Sequence, residues 1–331
     1  MITRTLGPSG PEVSAIGLGC MGMSFAYGDY PQEASIKAIH HALDLGMTHL
    51  DTAEVYGPFA NEELLGQALA DRRDAAFIAT KFGFDIQPDG KGGFTNSGVN
   101  SRPEHIVAVV EASLKRLKTD RIDLLYQHRV DPAVPIEEVV GVMADLVAQG
   151  KVLHLGLSEP SVATLRRACG VHHIAAVQIE YSLWTRGPEA EMLPACADLG
   201  VGFVPYSPLG RGFLTGKLTA EAMNDTDFRR SLPRYSDDAM AANRPLVAEL
   251  ERIAREKGCT AAQLALAWIL AQGPHIAPIP GARRIANIDD NASASAIVLT
   301  QRDLAEIAAA VPEEEVQGKR YNDHQLAMTN L

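Results

Sequence analysis

The sequence predicts an α/β fold, a (β/α)8 TIM barrel formed as one domain over residues 1–331. Three observations carry that expectation. Short apolar, β-rich runs alternate with longer helical patterns without an intervening linker, the runs number eight, and 331 residues leave room for the ~250 of a barrel plus excursions. Near-continuously apolar strands joined by helical crossovers imply a parallel sheet covered by helices.

In chain order, TRTLGPSGPEVS is expected to form a hairpin with a Gly/Pro turn that caps the barrel. The first barrel strand is AIGLG (15–19), and it runs into Gly17, Gly19 and Gly22, the G-x-G-x-x-G spacing of a Rossmann site, with Asp44 at a suitable distance beyond. A Rossmann site needs a helix that starts inside the glycines. MSFAYGDYPQEAS instead places Gly28 and Pro31 there, so the next helix is predicted to start near Pro31. Without a helix N-terminus at the glycines a pyrophosphate would lose its backbone donors and dipole.

The second and third strands are THLDT (48–52) and AFIAT (76–80). PEHIVAVVEASLKRLKT then sets Ile106, Val109, Val110, Ser113, Leu114 and Leu117 on one face at helical spacing. Strands four to seven are IDLLYQ (122–127), VLHLGL (152–157), AAVQIE (175–180) and GFVPY (202–206), and HIAPI (275–279) is the eighth. The stretch 209–240 after the seventh strand is a long βα loop of the kind that usually carries function. The pattern QRDLAEIAAAV packs either on its own barrel or on another subunit, so a monomer and a homo-oligomer are both open.

Composition narrows the function classes. The chain is 46% hydrophobic and 21% charged with a formal net charge of −11, which argues against a nucleic-acid partner, because phosphate backbones are met by clustered Lys and Arg. Cys20, Cys169, Cys196 and Cys259 lie far apart with no C-x-x-C pair, as suits thiols rather than a disulfide framework or zinc site, and a cytoplasmic setting follows. No apolar run approaches the roughly 18 residues that span a bilayer, so no membrane partner is expected. No metal is expected either: His128 with Asp131 lacks a partner set, and His40–His41 and His172–His173 are adjacent pairs whose side chains diverge on a helix.

In a barrel of this class the carboxyl ends of the strands converge on one face, where the active site lies. That position holds Asp51, Lys81, His128, Ser158, Gln178 and Tyr206, with Tyr56 in the loop after Asp51. Each alone has a structural reading: a turn cap, a snorkelling lysine, a buried imidazole, a core aromatic with a wet hydroxyl. Together they form a polar cluster at one end of the barrel.

ALDLGMTHLDTAEVYG (42–57), IDLLYQHRVD (122–131), GKVLHLGLSE (150–159) and VPYSPLGRGFLTG (204–216) closely resemble the aldo-keto reductase superfamily in its bacterial branch, as do the flanking RTLGPSGPEVSAIGLGCMGMS, IPGARRIANIDDN and GKRY. The resemblance implies an NADPH-dependent reductase of small aldehydes or ketones with the family's tetrad at Asp51, Tyr56, Lys81 and His128. Reduction needs a hydride at carbon and a proton for the developing alkoxide. Tyr56 is the implied acid. Bringing a phenol from ~10 towards neutrality takes about three pKa units, or roughly 4 kcal/mol. A cation at Lys81 acts in that direction, Asp51 holds the ammonium, and His128 orients the carbonyl.

For the cofactor, the resemblance implies Ser158 and Gln178 on the nicotinamide carboxamide and Tyr206 stacked on the ring, beside Gly22 and Met23. Ser207, Pro208, Leu209, Gly210, Arg211 and Gly212 would face the pyrophosphate. Gly281 and Arg283, with Arg284 beside it, would face the 2′-phosphate, and Asn287, Asp290 and Asn291 the adenine. Two departures stand out. Glu159 replaces a frequent Asn, with a carboxylate still able to accept from the carboxamide, and PGA replaces the phosphate-binding PKS. Met23, Phe25, Tyr27, Phe59, Trp184 and Tyr321 would rim an apolar substrate pocket, and Arg129 could become an anion clamp. A cofactor-sensing subunit resembling the potassium-channel β-subunit is the alternative to an enzyme, and a barrel lyase or isomerase a third reading.

Overall fold

The computed structural model describes residues 1–28 and 30–330. An antiparallel hairpin, β1 (Thr3–Thr5) and β2 (Glu12–Ser14), precedes the barrel as expected. Seven parallel strands follow: β3 (Leu18–Gly19), β4 (His49–Asp51), β5 (Phe77–Phe82), then β8 (Ile122–Gln127), β9 (Val152–Ser158), β10 (Ala176–Glu180) and β11 (Gly202–Tyr206). They pair in the order β11-β10-β9-β8-β5-β4-β3.

The eighth segment closes the ring without being a continuous strand. Its residues touch both edges as single parallel bridges, Ile276 to Phe203 and Ile279 to Tyr206 on one side, Gly281 to Gly19 on the other. The reason lies in the sequence HIAPIPG: Pro278 and Pro280 have no N–H to donate, so the ladder is interrupted at alternate positions. Only Ala277 N and Ile279 N donate to β11, at Phe203 O and Pro205 O, both 3.0 Å.

The barrel glycines serve this close approach of neighbouring backbones. A Cβ on Gly17 would come 2.8 Å from His49 O, and one on Gly19 2.9 Å from Ile279 O. A 3-10 turn, Met21–Met23, follows instead of a phosphate-binding helix, and α1 (Gln32–Asp44) begins after Pro31, as the sequence predicts.

Helices cover the outside: α2 (Ala60–Ala68), α3 (Pro103–Leu117), α4 (Ile136–Ala148), α5 (Val162–Cys169), α6 (Met192–Leu199), α7 (Asp237–Glu256), α8 (Ala261–Leu270) and α9 (Ile285–Ser293). The buried face of α3 consists of Ile106, Val109, Val110, Ser113, Leu114 and Leu117, the set read from its periodicity. The helix α10 (Gln301–Ala310) packs on its own barrel. It buries Ile307 and Ala310 and pairs Glu306 with Arg252 at 3.1 Å. A short α11 (Asp323–Leu326) lies in the C-terminal tail.

Inside the ring Ala79, Leu124, Tyr126, Val204, Ala277 and Ile279 form a separate core, and Leu6 and Val13 of the leading hairpin plug its lower end. Arg4 fastens that plug by donating to the carbonyls of Leu270 at 2.8 Å and Ile276 at 2.9 Å.

One excursion was not expected. After β5 the chain forms a second antiparallel hairpin, β6 (Phe84–Pro88) and β7 (Phe94–Val99), which stands at the barrel mouth before α3. Its signal is PDGKGG between FDIQ and FTNS, a turn cluster flanked by alternating residues. The stretch after β11 is built of successive 3-10 turns, 210–215, 220–222, 228–231 and 233–235, before α7 starts at Asp237.

Two helical glycines separate packing from propensity. A Cβ on Gly66 in α2 would collide with the Arg116 carbonyl of α3, whereas one on Gly141 in α4 meets nothing within 4 Å. Gly66→Ala is expected to destabilise by about 1–3 kcal/mol through overpacking. Gly141→Ala is expected to stabilise by roughly 0.5–1 kcal/mol. Urea unfolding of the two variants checks the opposite signs.

Candidate active site

A cavity of about 610 Å3 opens at the carboxyl ends of the strands. Asp51, Tyr56 and His128 line it, and Lys81 lies fully buried beneath. Asp51 is the last residue of β4, and Lys81 sits two residues beyond the β5 position that pairs with it. Lys81 Nζ therefore reaches across, donating to Asp51 Oδ1 at 2.6 Å and to Thr52 O at 2.7 Å, with Tyr56 Oη 3.5 Å away. The other Asp51 oxygen accepts from Gln178 Nε2 of β10 at 2.7 Å.

Tyr56 stands on a loop held from several sides. Its ring lies parallel to Phe25 at 6.4 Å and edge-on to His128 at 5.9 Å. Asn61, at the start of α2, accepts from Thr52 Oγ1 at 2.7 Å and donates to Cys20 O at 2.9 Å and Ser24 Oγ at 2.7 Å, tying this loop to the one after β3. Glu54 accepts from Gly83 N at 3.2 Å. Asn61 and Glu54 escaped the sequence reading, since both work through partners distant in sequence.

The electrostatics differ from the expectation for Tyr56. Burial pushes its phenol well above the usual value and Asp51 adds to the rise, while the opposing cation is Arg129. Lys81 is offset by Asp51 at 2.6 Å, so it presents little net charge to the ring. Burial also lowers Lys81 itself. Tyr56 is thus a neutral phenol, the form that donates a proton. His128 is held well below the imidazole range by burial and by Arg129 and Lys81. It is neutral too, and because Nδ1 is buried without a partner, Nε2 is the ring nitrogen open to the cavity.

The cavity wall also brings together Gly22, Ser158, Gln178, Tyr206, Ser207, Pro208, Leu209, Arg211 and Gly212, and at its other end Gly281, Arg283, Arg284, Asn287, Asp290 and Asn291. Several side chains point elsewhere than the sequence suggested. Glu159 is fully buried, in a left-handed backbone conformation at φ 55°. Its carboxylate accepts from Tyr206 Oη at 2.7 Å, Glu180 N at 3.1 Å and Arg320 at 2.7 Å, so it supports the wall from behind instead of facing a carboxamide. Arg211 turns inward to Glu180 at 3.2 Å and is not a free pyrophosphate cation. Arg283 donates to the carbonyls of Gly22, Tyr27 and Gly28, stapling the loop that carries them, and the Arg284 guanidinium has no hydrogen bond among the described residues.

The substrate rim is corrected as well. Phe25, Tyr27 and Tyr321 line the cavity, but Met23, Phe59 and Trp184 do not. Met23 is buried in the core, Phe59 packs edge-on against Phe94 and under Arg116, and Trp184 stacks on Phe213. Gly210 is likewise buried, and a Cβ there would strike the Trp184 ring. The tail adds Gln325 and Met328 and the mouth hairpin adds Phe84 and Asn96, none of which sequence spacing marks. Asp131 spends its carboxylate on Ser101 N and Ala133 N, at 2.8 and 2.9 Å, and among the described residues no group of three metal-ligating side chains forms.

The long cavity suits a dinucleotide. The wall includes Lys217 and Arg284, and Arg284 precedes the start of α9, whose first turn has no acidic residue, with Asp290 in the turn after it. Gly212, at φ 99°, is also part of the wall. The neutral phenol and imidazole line the same cavity.

The family model described as Aldo/keto reductase family matches residues 15–312. A relative from Glycine max, Probable aldo-keto reductase 1, is 47% identical over 318 residues, which covers 96% of this chain and 90% of the relative. The structure resembles the glycerol dehydrogenase of Gluconobacter oxydans with a TM-score of 0.84 at 28% identity, covering 94% and 96% of the two chains. It also resembles an aldo/keto reductase from Klebsiella pneumoniae solved in complex with NADP and acetate, with a TM-score of 0.71 at 27% identity over 97% and 99%.

Glu54 generates a pH prediction. Burial, with neighbouring Glu62, raises its carboxyl from 4.5 to about 8. The folded state then binds more protons than the unfolded state between those values, so stability falls as pH rises from about 4.5 to about 8 and levels off above. Glu54→Gln is expected to flatten that slope in urea unfolding followed across the same pH range.

Proposed function

The chain belongs to the aldo/keto reductase family, and from that premise we propose that it reduces the carbonyl of small aldehydes or ketones with Tyr56 as the proton donor. NADP(H) is the family's cofactor, and when bound it supplies the hydride.

The observation that carries the proposal is the placement of Lys81 Nζ, 2.6 Å from Asp51 and 3.5 Å from Tyr56 below the cavity floor. Tyr56 Oη holds the proton that the carbonyl oxygen takes as it becomes an alkoxide. A phenol raised by burial keeps that proton until a stronger base forms, and a nascent alkoxide is one. Neutral His128 orients the carbonyl by donating from Nε2, which fixes the approach angle. Lys81, itself held by Asp51, donates towards the phenol oxygen and keeps it in place. Phe25 against Tyr56 and Phe84 against His128 give the reacting end apolar walls.

Ser158, Gln178 and Tyr206 are assigned to the nicotinamide end, and Arg284, Asn287, Asp290 and Asn291 to the adenosine phosphate end. The apolar rim suits aromatic and short aliphatic substrates. No helix is long and apolar enough to cross a membrane among the described residues.

Tyr56→Phe is expected to lower kcat by about 10²–10⁴-fold while NADPH affinity stays within threefold. Loss of reduced-nicotinamide absorbance with an aldehyde panel, together with NADPH fluorescence titration, measures both. Undiminished turnover in the variant refutes the assigned acid. Tight NADPH binding without turnover of any carbonyl by the unaltered protein refutes the reductase reading in favour of a cofactor sensor.

A further inference from the structure

We infer that Arg129 selects substrates that carry a carboxylate next to the reacting carbonyl, an inference that rests on the reductase reading above. Arg129 follows His128 at the end of β8 and lines the cavity. Its Nη1 donates to His128 O at 2.7 Å and Ser158 Oγ at 3.2 Å, which anchors one edge of the guanidinium to the wall. Its Nε and Nη2 have no hydrogen-bond partner among the described residues, and no carboxylate oxygen of those residues lies within the 4.0 Å of an ion pair.

The other arginines of the cavity are accounted for. Arg211 pairs with Glu180, Arg229 pairs with Asp227 at 2.6 Å, and Arg283 donates to three loop carbonyls. Arg284 stands with the start of α9, where phosphate is expected. In the ring, β8 lies diametrically opposite the 276–281 segment that leads to Arg284, with three strands between them on either side. Arg129 is therefore remote from the phosphate end and adjacent to the reacting one, where Tyr56 feels its charge.

A part-buried guanidinium with no ion-paired carboxylate among the described residues offers its charge to a ligand's carboxylate. Its free edge is a planar pair of N–H donors, which matches the two oxygens of a carboxylate. The neighbouring acid, Glu159, makes no ion pair with Arg129 and is engaged by Arg320. In a chain of net charge −11, an anionic substrate gains no help from the molecule's overall charge, and a local cation is what would admit it.

The test compares phenylglyoxylate with its methyl ester, so that each protein supplies its own internal reference and the esters' greater electrophilicity cancels. The ratio of kcat/KM for acid over ester is expected to fall at least tenfold in Arg129→Met, mainly through KM for the acid, and to be partly restored in Arg129→Lys. A ratio unchanged within twofold overturns the inference. Calorimetric titration of mandelate into the NADPH-loaded protein gives a readout that needs no turnover. Binding at least tenfold weaker in Arg129→Met supports the inference, and equal or undetectable binding in both proteins overturns it. Benzaldehyde turnover reports separately on the reductase reading: if benzaldehyde is reduced but the acid-to-ester ratio does not respond to Arg129, only the assignment of Arg129 fails.

Discussion

The ammonium of Lys81 is the constraint around which the mouth of this barrel is organised. It is fully buried, and burial of a charge is tolerated only when partners surround it. Those partners come from one neighbouring strand end: the Asp51 carboxylate, the Thr52 carbonyl and, at longer reach, the Tyr56 hydroxyl. Asp51 in turn needs Gln178 from the far side of the ring, so a single charge aligns β4, β5 and β10. Removing either member of the ion pair would strand the other, which typically costs about 3–5 kcal/mol. The same pairing explains why Lys81 does little to acidify the phenol beside it: its charge is already committed.

Much of this arrangement is legible in the amino-acid order because barrel strands and their helices are local features. The runs at 122–127 and 202–206 coincide with β8 and β11, and the buried face of α3 follows from its spacing alone. The polar residues at strand ends could be collected because a parallel barrel sends every carboxyl end to the same face. The eighth run was recognisable as a ring member, but its two prolines forbid the regular ladder that its hydrophobicity suggests.

What sequence order conceals is the direction taken by a long side chain with more than one possible partner. Arg211 and Arg283 sit in glycine-rich, phosphate-like contexts, yet Glu180 and the loop carbonyls of 22–28 claim them. Glu159 is taken by Tyr206 and by Arg320, far along the chain. Trp184 and Phe59 read as rim aromatics because loop residues after strands usually are exposed, but each finds an aromatic neighbour and leaves the cavity. The hairpin of β6 and β7 was concealed for the opposite reason: it is largely polar and exposed, and only the PDGKGG turn and the short alternation of FDIQ mark it.

The seam of the ring bears on how the molecule forms. Gly19 and Gly281 become neighbours only after nearly the whole chain has been made, and closing so long a loop carries an entropic penalty that local pairings do not. Until then the sheet has two raw edges, β3 and β11, and the segment that must seal them brings few amide donors. The ring is thus joined by a segment that its two prolines leave short of donors.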